Sequence, residues 1–280
     1  MNAIEIRNLT KSYKGFSLEH LNLTLPKGCI MGLIGENGAG KTTTIKLILD
    51  MIRKDSGEII ILGKDHAENL ELTKEDIGVV MDEVGIPECL TVRQVGKVMS
   101  RTFKNWNSKE YDLLIQRLSL PVDKAFKDFS KGMKMKLGIA IAMSHGAKLL
   151  ILDEPTSGLD PVVRDEVVGM FEDFTRNENH SILISSHIVS DLEKLCDYIA
   201  FLHKGKLLLC EEKDQLLAEY GLIYCTEEEY KNIPKEAIKY KKENPYGIEL
   251  MVQRNAVPTD VMVSPISIEE LFVFMVKEAK

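Results

Sequence analysis

The segment 35–42 constrains the fold of this chain more than any other stretch of its sequence. Its residues, GENGAGKT, fit the pattern G-x-x-x-x-G-K-[ST], with an apolar run at 29–34 before it and a helical pattern at 41–52 after it. Glycines let the backbone curl around phosphate oxygens, and N–H groups at the helix start supply positive potential. We therefore expect a phosphate-binding loop in which Lys41 reaches the β- and γ-phosphates and Thr42 ligates Mg²⁺.

Strand and helix patterns predict an α/β core around this loop. Apolar and polar residues largely alternate near the start, which predicts half-buried antiparallel strands at 4–9 and 16–23. Nearly continuous apolar runs predict central parallel strands covered on both faces, at 29–34, 149–152 and 182–184. Helical patterns follow these runs at 41–52, 161–175 and 190–196. Asp160 and Pro161 are suited to be the N-cap and first-turn residues of the second helix.

Two further regions complete the predicted architecture. The pattern is mostly helical between about 83 and 147, which predicts a helical subdomain inserted between a strand at 77–80 and the next at 149. Beyond a hairpin at Lys204 and Gly205 the composition becomes charged, so we expect the core to end near 212. The remainder, 213–280, contains two strand-like runs and a capping box, Ser267 with Glu270, opening a last helix, and is predicted to form a small α/β appendage.

Composition excludes several classes of function. A net charge of −7 and a pI near 5.5 give no general attraction to nucleic acid. No apolar run approaches the roughly 18 residues of a membrane span, and the first residues lack the regions of a signal peptide. The five cysteines are scattered without a Cys-x-x-Cys pair, which fits a reducing cytosol. We therefore expect any membrane work to need another, membrane-spanning chain.

A pair of carboxylates follows the apolar run at 149–152. A phosphate loop alone is shared by GTPases, helicases and small-molecule kinases, so this second feature matters. Burying Asp153 and Glu154 at a strand end without a cation is costly, which argues for a nearby metal ion. Asp153 is predicted to hold Mg²⁺, and Glu154 to orient or deprotonate the water that attacks the γ-phosphate. The alternative, acids at a simple strand end, loses weight beside the phosphate loop.

Residues 152–160, LDEPTSGLD, resemble the Walker B and D-loop run of the ATP-binding cassette (ABC) family. Upstream, 129–133 (FSKGM) is similar to the family's LSGGQ signature, and downstream 185–187 (SSH) is similar to its H-loop. The motifs occur in the family's order and cover about residues 1–212, which the resemblance identifies as an ABC ATPase domain. It implies a P-loop NTPase core with a mixed sheet, an antiparallel β subdomain and a helical insert.

The resemblance also implies the ligands and their contacts. Family members bind ATP and Mg²⁺ in a head-to-tail dimer, each ATP lying between one phosphate loop and the partner's signature. Catalytic roles fall on Glu154 and His187, and metal binding on Thr42, Asp82 and Asp153. The predicted nucleotide contacts, with adenine stacked on the first, are Tyr13, Gly35, Glu36, Asn37, Gly38, Ala39, Gly40, Lys41, Thr42, Thr43, Ser130, Gly132, Met133 and Asp160.

The sequence departs from the family pattern at three positions. Relatives have Gln at the end of the strand before the helical insert, where this chain has Asp82, with Glu83 as the neighbouring candidate and a solvated acidic turn as the alternative. In the signature, Lys131 replaces the first glycine and Met133 the terminal Gln, while Ser130 and the second glycine remain. We expect the geometry of the signature to survive these changes.

The leading functional hypothesis from the resemblance is a transport ATPase of the exporter-like kind found in bacterial multi-component systems, which drives separate membrane-spanning subunits. It would be cytoplasmic, peripheral at the inner face of the cell membrane, and either a homodimer or a heterodimer with a related ATPase. The alternatives are a soluble ABC ATPase that acts on ribosomes or DNA, and a regulatory module with weak turnover. Three aromatic residues of the helical insert, Phe103, Trp106 and Tyr111, are expected either to form a docking surface or to pack in the core.

Overall fold

The computed structural model describes residues 1–65, 74–245 and 247–278, and its amino-terminal part forms an antiparallel sheet. Four strands pair in the order β2-β1-β4-β5. They are β1 (Asn2–Tyr13), β2 (Phe16–Pro26), β4 (Ser56–Ile61) and β5 (Lys64–Asp65). The two strands predicted near the start are therefore confirmed, each longer than its alternating pattern indicated.

A six-stranded mixed sheet forms the centre of the molecule, in the order β10-β9-β3-β8-β7-β6. All neighbouring strands are parallel except the β9–β10 pair, which forms the predicted hairpin. The strands are β3 (Ile30–Ile34), β6 (Ile77–Val80), β7 (Leu149–Asp153), β8 (Ser181–Ser186), β9 (Tyr198–His203) and β10 (Lys206–Glu212). Ligands of such sheets bind beyond the carboxyl ends of the parallel strands, which are the ends at residues 34, 80, 153, 186 and 203.

Burial on both faces explains the continuous apolar runs of the parallel strands. In β3, Met31 and Leu33 pack against the antiparallel sheet and α1 (Lys41–Ile48), whereas Ile30 and Ile34 pack against the helices of the opposite face. Those helices include α5 (Pro161–Thr175) and α6 (Val189–Leu195). Phe171 of α5 and Leu192 of α6 are completely buried there. The predicted P-loop α/β core is thus confirmed.

Helix α1 is shorter than its sequence pattern predicted, ending at Ile48 instead of residue 52. The amide of Met51 donates to the Lys46 carbonyl, and the amide of Asp50 donates to the Leu47 carbonyl. This pair of bonds is the Schellman arrangement, and it needs a left-handed residue just beyond the helix. Asp50 adopts that conformation with φ of 53°. The apolar periodicity continues beyond Ile48, and the sequence has no glycine there to indicate the end of the helix.

Three helices occupy the chain between β6 and β7, as the helical insert predicted. They are α2 (Val92–Thr102), α3 (Ser108–Arg117) and α4 (Lys131–Met143). Their aromatic residues contact one another: Phe103 stacks on His145 with 4.1 Å between ring centroids, and Trp106 lies 5.1 Å from Tyr111. Tyr111 is buried and donates its hydroxyl to the Val92 carbonyl at 2.9 Å. These contacts favour core packing over a docking role for the aromatic residues.

Helix α4 lies against β6 so closely that glycine is required at the contact. A Cβ on Gly78 would collide with the carbonyl oxygen of Ala142 and lie 2.5 Å from Leu150 Cδ2. We expect Gly78→Ala to destabilise the protein by about 1–3 kcal/mol, because neither backbone can move aside without disturbing the sheet. Urea unfolding measures this change.

Gly169→Ala in α5 is the matched control for that substitution. Its Cβ would meet nothing within 4 Å. Alanine is favoured over glycine in a helix by about 0.5–1 kcal/mol, so this variant should be slightly more stable than the wild type. A Gly78→Ala protein as stable as Gly169→Ala would contradict the close contact between α4 and β6.

The carboxyl-terminal part forms the predicted α/β appendage, with one strand that the sequence did not predict. Its three-stranded antiparallel sheet has the order β11-β13-β12. The elements are α7 (Lys213–Glu219), β11 (Tyr220–Cys225), α8 (Glu227–Tyr230), β12 (Ile238–Asn244), β13 (Gly247–Gln253) and α9 (Ile268–Glu278). The capping box before α9 is present, with Ser267 and Glu270 exchanging bonds. The predicted domain boundary near 212 stays a proposal.

The appendage packs on the central sheet through α9. The ring of Phe272 lies 5.1 Å from that of Phe201 in β9, and Tyr240 lies 4.9 Å from Phe274. Leu271 and Phe274 belong to the same buried cluster as the helices on that face of the sheet. Within the described residues, no helix is both long and apolar enough to cross a membrane.

Candidate functional site

The loop that follows β3 is held in shape by its glycines and by a backbone hydrogen bond. A Cβ on Gly35 would lie 2.5 Å from the Leu202 carbonyl oxygen, and Gly40 has φ of 112°, which only glycine adopts readily. The amide of Gly205 donates to the Ala39 carbonyl at 2.9 Å. The β9–β10 hairpin therefore packs against the loop and restricts the positions of its glycines.

Lys41 folds back over this loop. Its Nζ donates to the Gly35 carbonyl at 2.6 Å and lies 3.5 Å from Glu154 Oε1. The side chain is only 7% exposed, so its charge is held in a site with little water. A buried ammonium next to a row of backbone amides is suited to bind phosphate, with the carboxylate as its partner when no phosphate is present.

Thr42 and Asp153 form the second cluster of the site. The hydroxyl of Thr42 donates to Asp153 Oδ2 at 2.8 Å, and the hydroxyl of Ser185 donates to Asp153 Oδ1 at 2.6 Å. Asp153 is 1% exposed, so these two bonds satisfy a buried carboxylate. β7 and β8 are neighbours with Asp153 opposite Ser185, which explains how residues distant in sequence meet.

The donor set of this cluster suits Mg²⁺. No group of three or more His, Cys, Asp or Glu side chains in the described ranges could hold a metal ion by itself. Thr42 and Asp153 supply two hard oxygen donors side by side, and Mg²⁺ is usually bound by one or two protein oxygens together with phosphates and water. The two residues thus fit an ion that arrives with a nucleotide.

Glu154 is the junction between the lysine and the histidine of the site. It has φ of 53°, an uncommon left-handed conformation for a residue of this type, and its amide donates to the carbonyl of Ser185 at 3.1 Å. Its Oε2 lies 2.6 Å from His187 Nδ1 and accepts from the His187 amide at 3.3 Å. The structure therefore joins both predicted catalytic residues to Lys41.

The signature residues lie at the start of α4. Ser130 is the N-cap, and its hydroxyl accepts from the Met133 amide at 3.2 Å. A Cβ on Gly132 would lie 3.2 Å from Leu159 Cδ2, so the signature borders the D-loop of the same chain. In the part of the chain that the structure describes, no hydrogen bond or ion pair joins these residues to the loop 35–42.

The remaining predicted residues surround the phosphate loop or the D-loop. Tyr13 is 46% exposed and pairs with Phe16, whose ring would lie 3.0 Å from a Cβ on Gly40. Glu36 Oε2 lies 3.5 Å from Nδ1 of the buried His203. Asn37 and Gly38 are exposed, and Thr43 is half-buried in α1. Asp160 caps α5 by accepting from the Val163 amide at 3.1 Å. Nucleotide contacts from these residues stay predictions.

Two residues at which the sequence departs from the family pattern meet in the structure. Lys131 Nζ lies 2.7 Å from Asp82 Oδ1. One ion pair therefore involves both of the unusual residues, Asp82 and Lys131. The sequence analysis did not predict this contact. It also missed the role of Ser185 beside Asp153, although a hydroxyl at the end of a strand next to that aspartate was a readable signal. A metal contact from Asp82 stays a prediction.

Comparisons with known proteins show the family to which this chain is similar. The family model described as ABC transporter matches residues 18–157. The lantibiotic transport ATP-binding protein SrtF of Streptococcus pyogenes is 40% identical over 214 residues, which are 75% of this chain and 91% of that protein. A solved structure described as the ATP-binding subunit of an ABC transporter aligns at 27% identity with a TM-score of 0.70, covering 77% of this chain and 92% of that one.

A further solved structure supports the fold alone. It is a dimeric post-hydrolysis state of the ATP-binding cassette MJ0796 with ADP and Pi, 20% identical, with a TM-score of 0.68 over 75% of this chain and 98% of that chain. The family match covers the phosphate loop and the Walker B carboxylates, which are the residues that meet at the carboxyl edge of the sheet. The chain therefore belongs to the ABC transporter family, as one of its ATP-binding and ATP-hydrolysing subunits.

Proposed function

We propose that this chain drives transport through separate membrane-spanning subunits, and that it does so by forming an ATP-dependent dimer. The observation that carries the proposal is the division of the site within one chain. Lys41, Thr42, Asp153, Glu154 and His187 are joined by contacts at the carboxyl edge of the sheet. The signature at the start of α4 has no bond to them among the described residues. A second copy or a related ATPase supplies the missing half.

The hydrolytic step is assigned to residues of this chain as follows. Thr42 and Asp153 would hold Mg²⁺, and the ion would supply neutralisation of the negative charge on the phosphates. The ammonium of Lys41 lies 3.5 Å from the Glu154 carboxylate when no phosphate is present. Because its side chain is flexible, the ammonium can move from Glu154 to the phosphates when nucleotide binds. Glu154 then orients the attacking water or accepts its proton, while His187 holds the γ-phosphate and the water in place.

Contacts in trans complete the site. The amides at the start of α4, with Ser130, Gly132 and Met133, bind the γ-phosphate of the partner's ATP through the helix N-terminus. Tyr13 stacks on adenine at the edge of the phosphate loop. Because ATP contacts both subunits, it favours the closed dimer, and hydrolysis removes this preference. Both a homodimer and a heterodimer satisfy these contacts.

Coupling to a membrane partner is supported by the relatives and by the charge of the chain. SrtF is named for lantibiotic transport, which favours a role in transport for this chain. The net charge of −7 disfavours a function on DNA or ribosomal RNA. We place the chain in the cytoplasm, at the inner face of the cell membrane, held there by its transmembrane partner.

Flotation of membranes tests this proposal directly. The tagged chain is expressed in the cell that produces it, and the lysate is separated on a sucrose gradient with and without prior nuclease treatment. Because a peripheral subunit is held by a membrane partner, we expect the chain to float with the membranes and to be released by alkaline carbonate. Ribosomes sediment in the same gradient. A chain that sediments with ribosomes, or that nuclease treatment alone releases, would favour the soluble ABC ATPase instead.

A further inference from the structure

Asp82 and Lys131 join two parts of the molecule that surround the proposed site. Asp82 follows the carboxyl end of β6, and Lys131 is the first residue of α4, directly after Ser130. Their side chains are 50% and 54% exposed, and the atoms Oδ1 and Nζ are 2.7 Å apart. An exposed pair adds little to folding stability, so its value lies in the geometry that it fixes.

The pair lies at one end of a continuous contact between α4 and β6. Gly78 of β6 lies under the backbone of Ala142 at the far end of α4. Further along, a Cβ on Gly138 would lie 3.4 Å from Val80 and 3.3 Å from Val84. The ion pair joins the first residue of α4 to the segment after β6. Helix α4 therefore contacts β6 and this segment from its start to its end.

Electrostatics explain why the start of α4 needs an anion. The first turn of α4 contains no acidic residue, and Lys131 lies where the helix dipole already gives positive potential. A cation at this end of a helix is unfavourable unless a negative group faces it. Asp82 is the group that the structure provides.

We propose that Asp82 is a positioning residue that acts through Lys131, not a ligand of Mg²⁺. The pair holds the start of the signature helix at a fixed place relative to the carboxyl edge of the sheet, so that Ser130 and Gly132 are presented correctly to the partner's ATP. This inference rests on the proposed function, because it concerns the geometry of the same site in the dimer.

A double-mutant cycle on Mg-ATP hydrolysis tests the proposal. Asp82→Asn and Lys131→Gln should each lower kcat by about threefold to tenfold, with little change in the KM for ATP, because each releases the same contact. The double variant should be no slower than the slower single variant. Asp82→Glu, which keeps the charge within reach of the flexible lysine, should retain at least about half of the wild-type rate.

Two further measurements distinguish positioning from metal binding. The Mg²⁺ concentration for half-maximal rate should be unchanged in Asp82→Asn, and the urea midpoints of the nucleotide-free variants should stay close to that of the wild type, because an exposed pair adds little to folding stability. Removing the comparable exposed pair of Arg117 and Asp173, at 3.4 Å, with Arg117→Gln and Asp173→Asn should leave kcat unchanged.

Other outcomes overturn the inference. A several-fold higher Mg²⁺ requirement in Asp82→Asn would make that residue a metal ligand. Multiplying effects in the double variant would make the two side chains independent, and a double variant faster than the wild type would make the pair an inhibitory contact. These outcomes compare variant rates with the wild-type rate, whereas the flotation experiment tests the proposed function, so failure of the inference and failure of the function are distinguishable.

Discussion

Glu154→Gln is expected to lower the kcat for ATP hydrolysis by about 100-fold or more while ATP binding persists. Gln keeps the size of the side chain and can still contact the amide of His187, but it cannot accept a proton from water. Removing a group that orients or deprotonates the nucleophile typically costs about 10²- to 10⁴-fold in rate. The contacts that hold nucleotide, from Lys41, Thr42 and the loop amides, are unchanged by the substitution.

The same substitution should reveal the dimer. Removing the negative charge next to Lys41 and His187 leaves less repulsion toward the γ-phosphate, and ATP that is not hydrolysed continues to join the two subunits. Size-exclusion chromatography with light scattering on Glu154→Gln, with and without Mg-ATP, measures this change. A shift from monomer to dimer on adding ATP is expected for a homodimer.

Glu172→Gln is the control for the loss of one acidic side chain. Glu172 is exposed on α5 and should leave turnover at the wild-type level. Unchanged turnover in Glu154→Gln as well would refute its catalytic role. If Glu154→Gln binds ATP and is inactive but stays monomeric, the dimer needs a different ATPase or the membrane subunit.

Contiguous motifs made the chemistry of this site predictable. The phosphate loop, Glu154 and His187 each follow directly after a strand, and Asp153 is the last residue of one. Their sequence neighbours alone therefore place them at the carboxyl edge of the sheet. Helix α5 has the predicted bounds, and its start was predictable because Asp160 and Pro161 are local start signals. Features that depend on one short segment are therefore readable from the sequence.

Features that depend on distant pairs were not predictable in this way. Ser185 meets Asp153 across 32 positions of the chain, and Asp82 meets Lys131 only because α4 lies along β6. Strand β12 has the sequence IKYKKEN, and its lysines suit a sheet edge instead of a core, so no apolar alternation announces it. Its pairing with β13 places it in the sheet.

Lys41→Ala should weaken the binding of nucleotide strongly. Lys41 is the only lysine or arginine that an ion pair joins to the Walker B carboxylates among the described residues, and it is 7% exposed, so its bonds to phosphate form with little competing water. A charge-assisted bond of this kind contributes about 1.5–3 kcal/mol, which corresponds to a loss of about 10- to 150-fold in affinity for ATP. Because the Glu154 carboxylate then faces the phosphates without its counterion, we expect the loss to lie at the upper end.

Isothermal titration with ATP and Mg²⁺ measures this loss in affinity, and Lys46→Ala is its matched control. Lys46 belongs to the same helix, and its removal changes the net charge by the same amount at a side chain with no ion pair in the described residues. That variant should bind ATP within about twofold of the wild type, as a surface substitution does. Equal affinities for Lys41→Ala and Lys46→Ala, with both proteins folded by circular dichroism, would mean that the backbone amides of the loop hold the phosphates without the lysine. Lys41 would then serve mainly as the counterion of Glu154, and the loop itself would carry the binding of nucleotide.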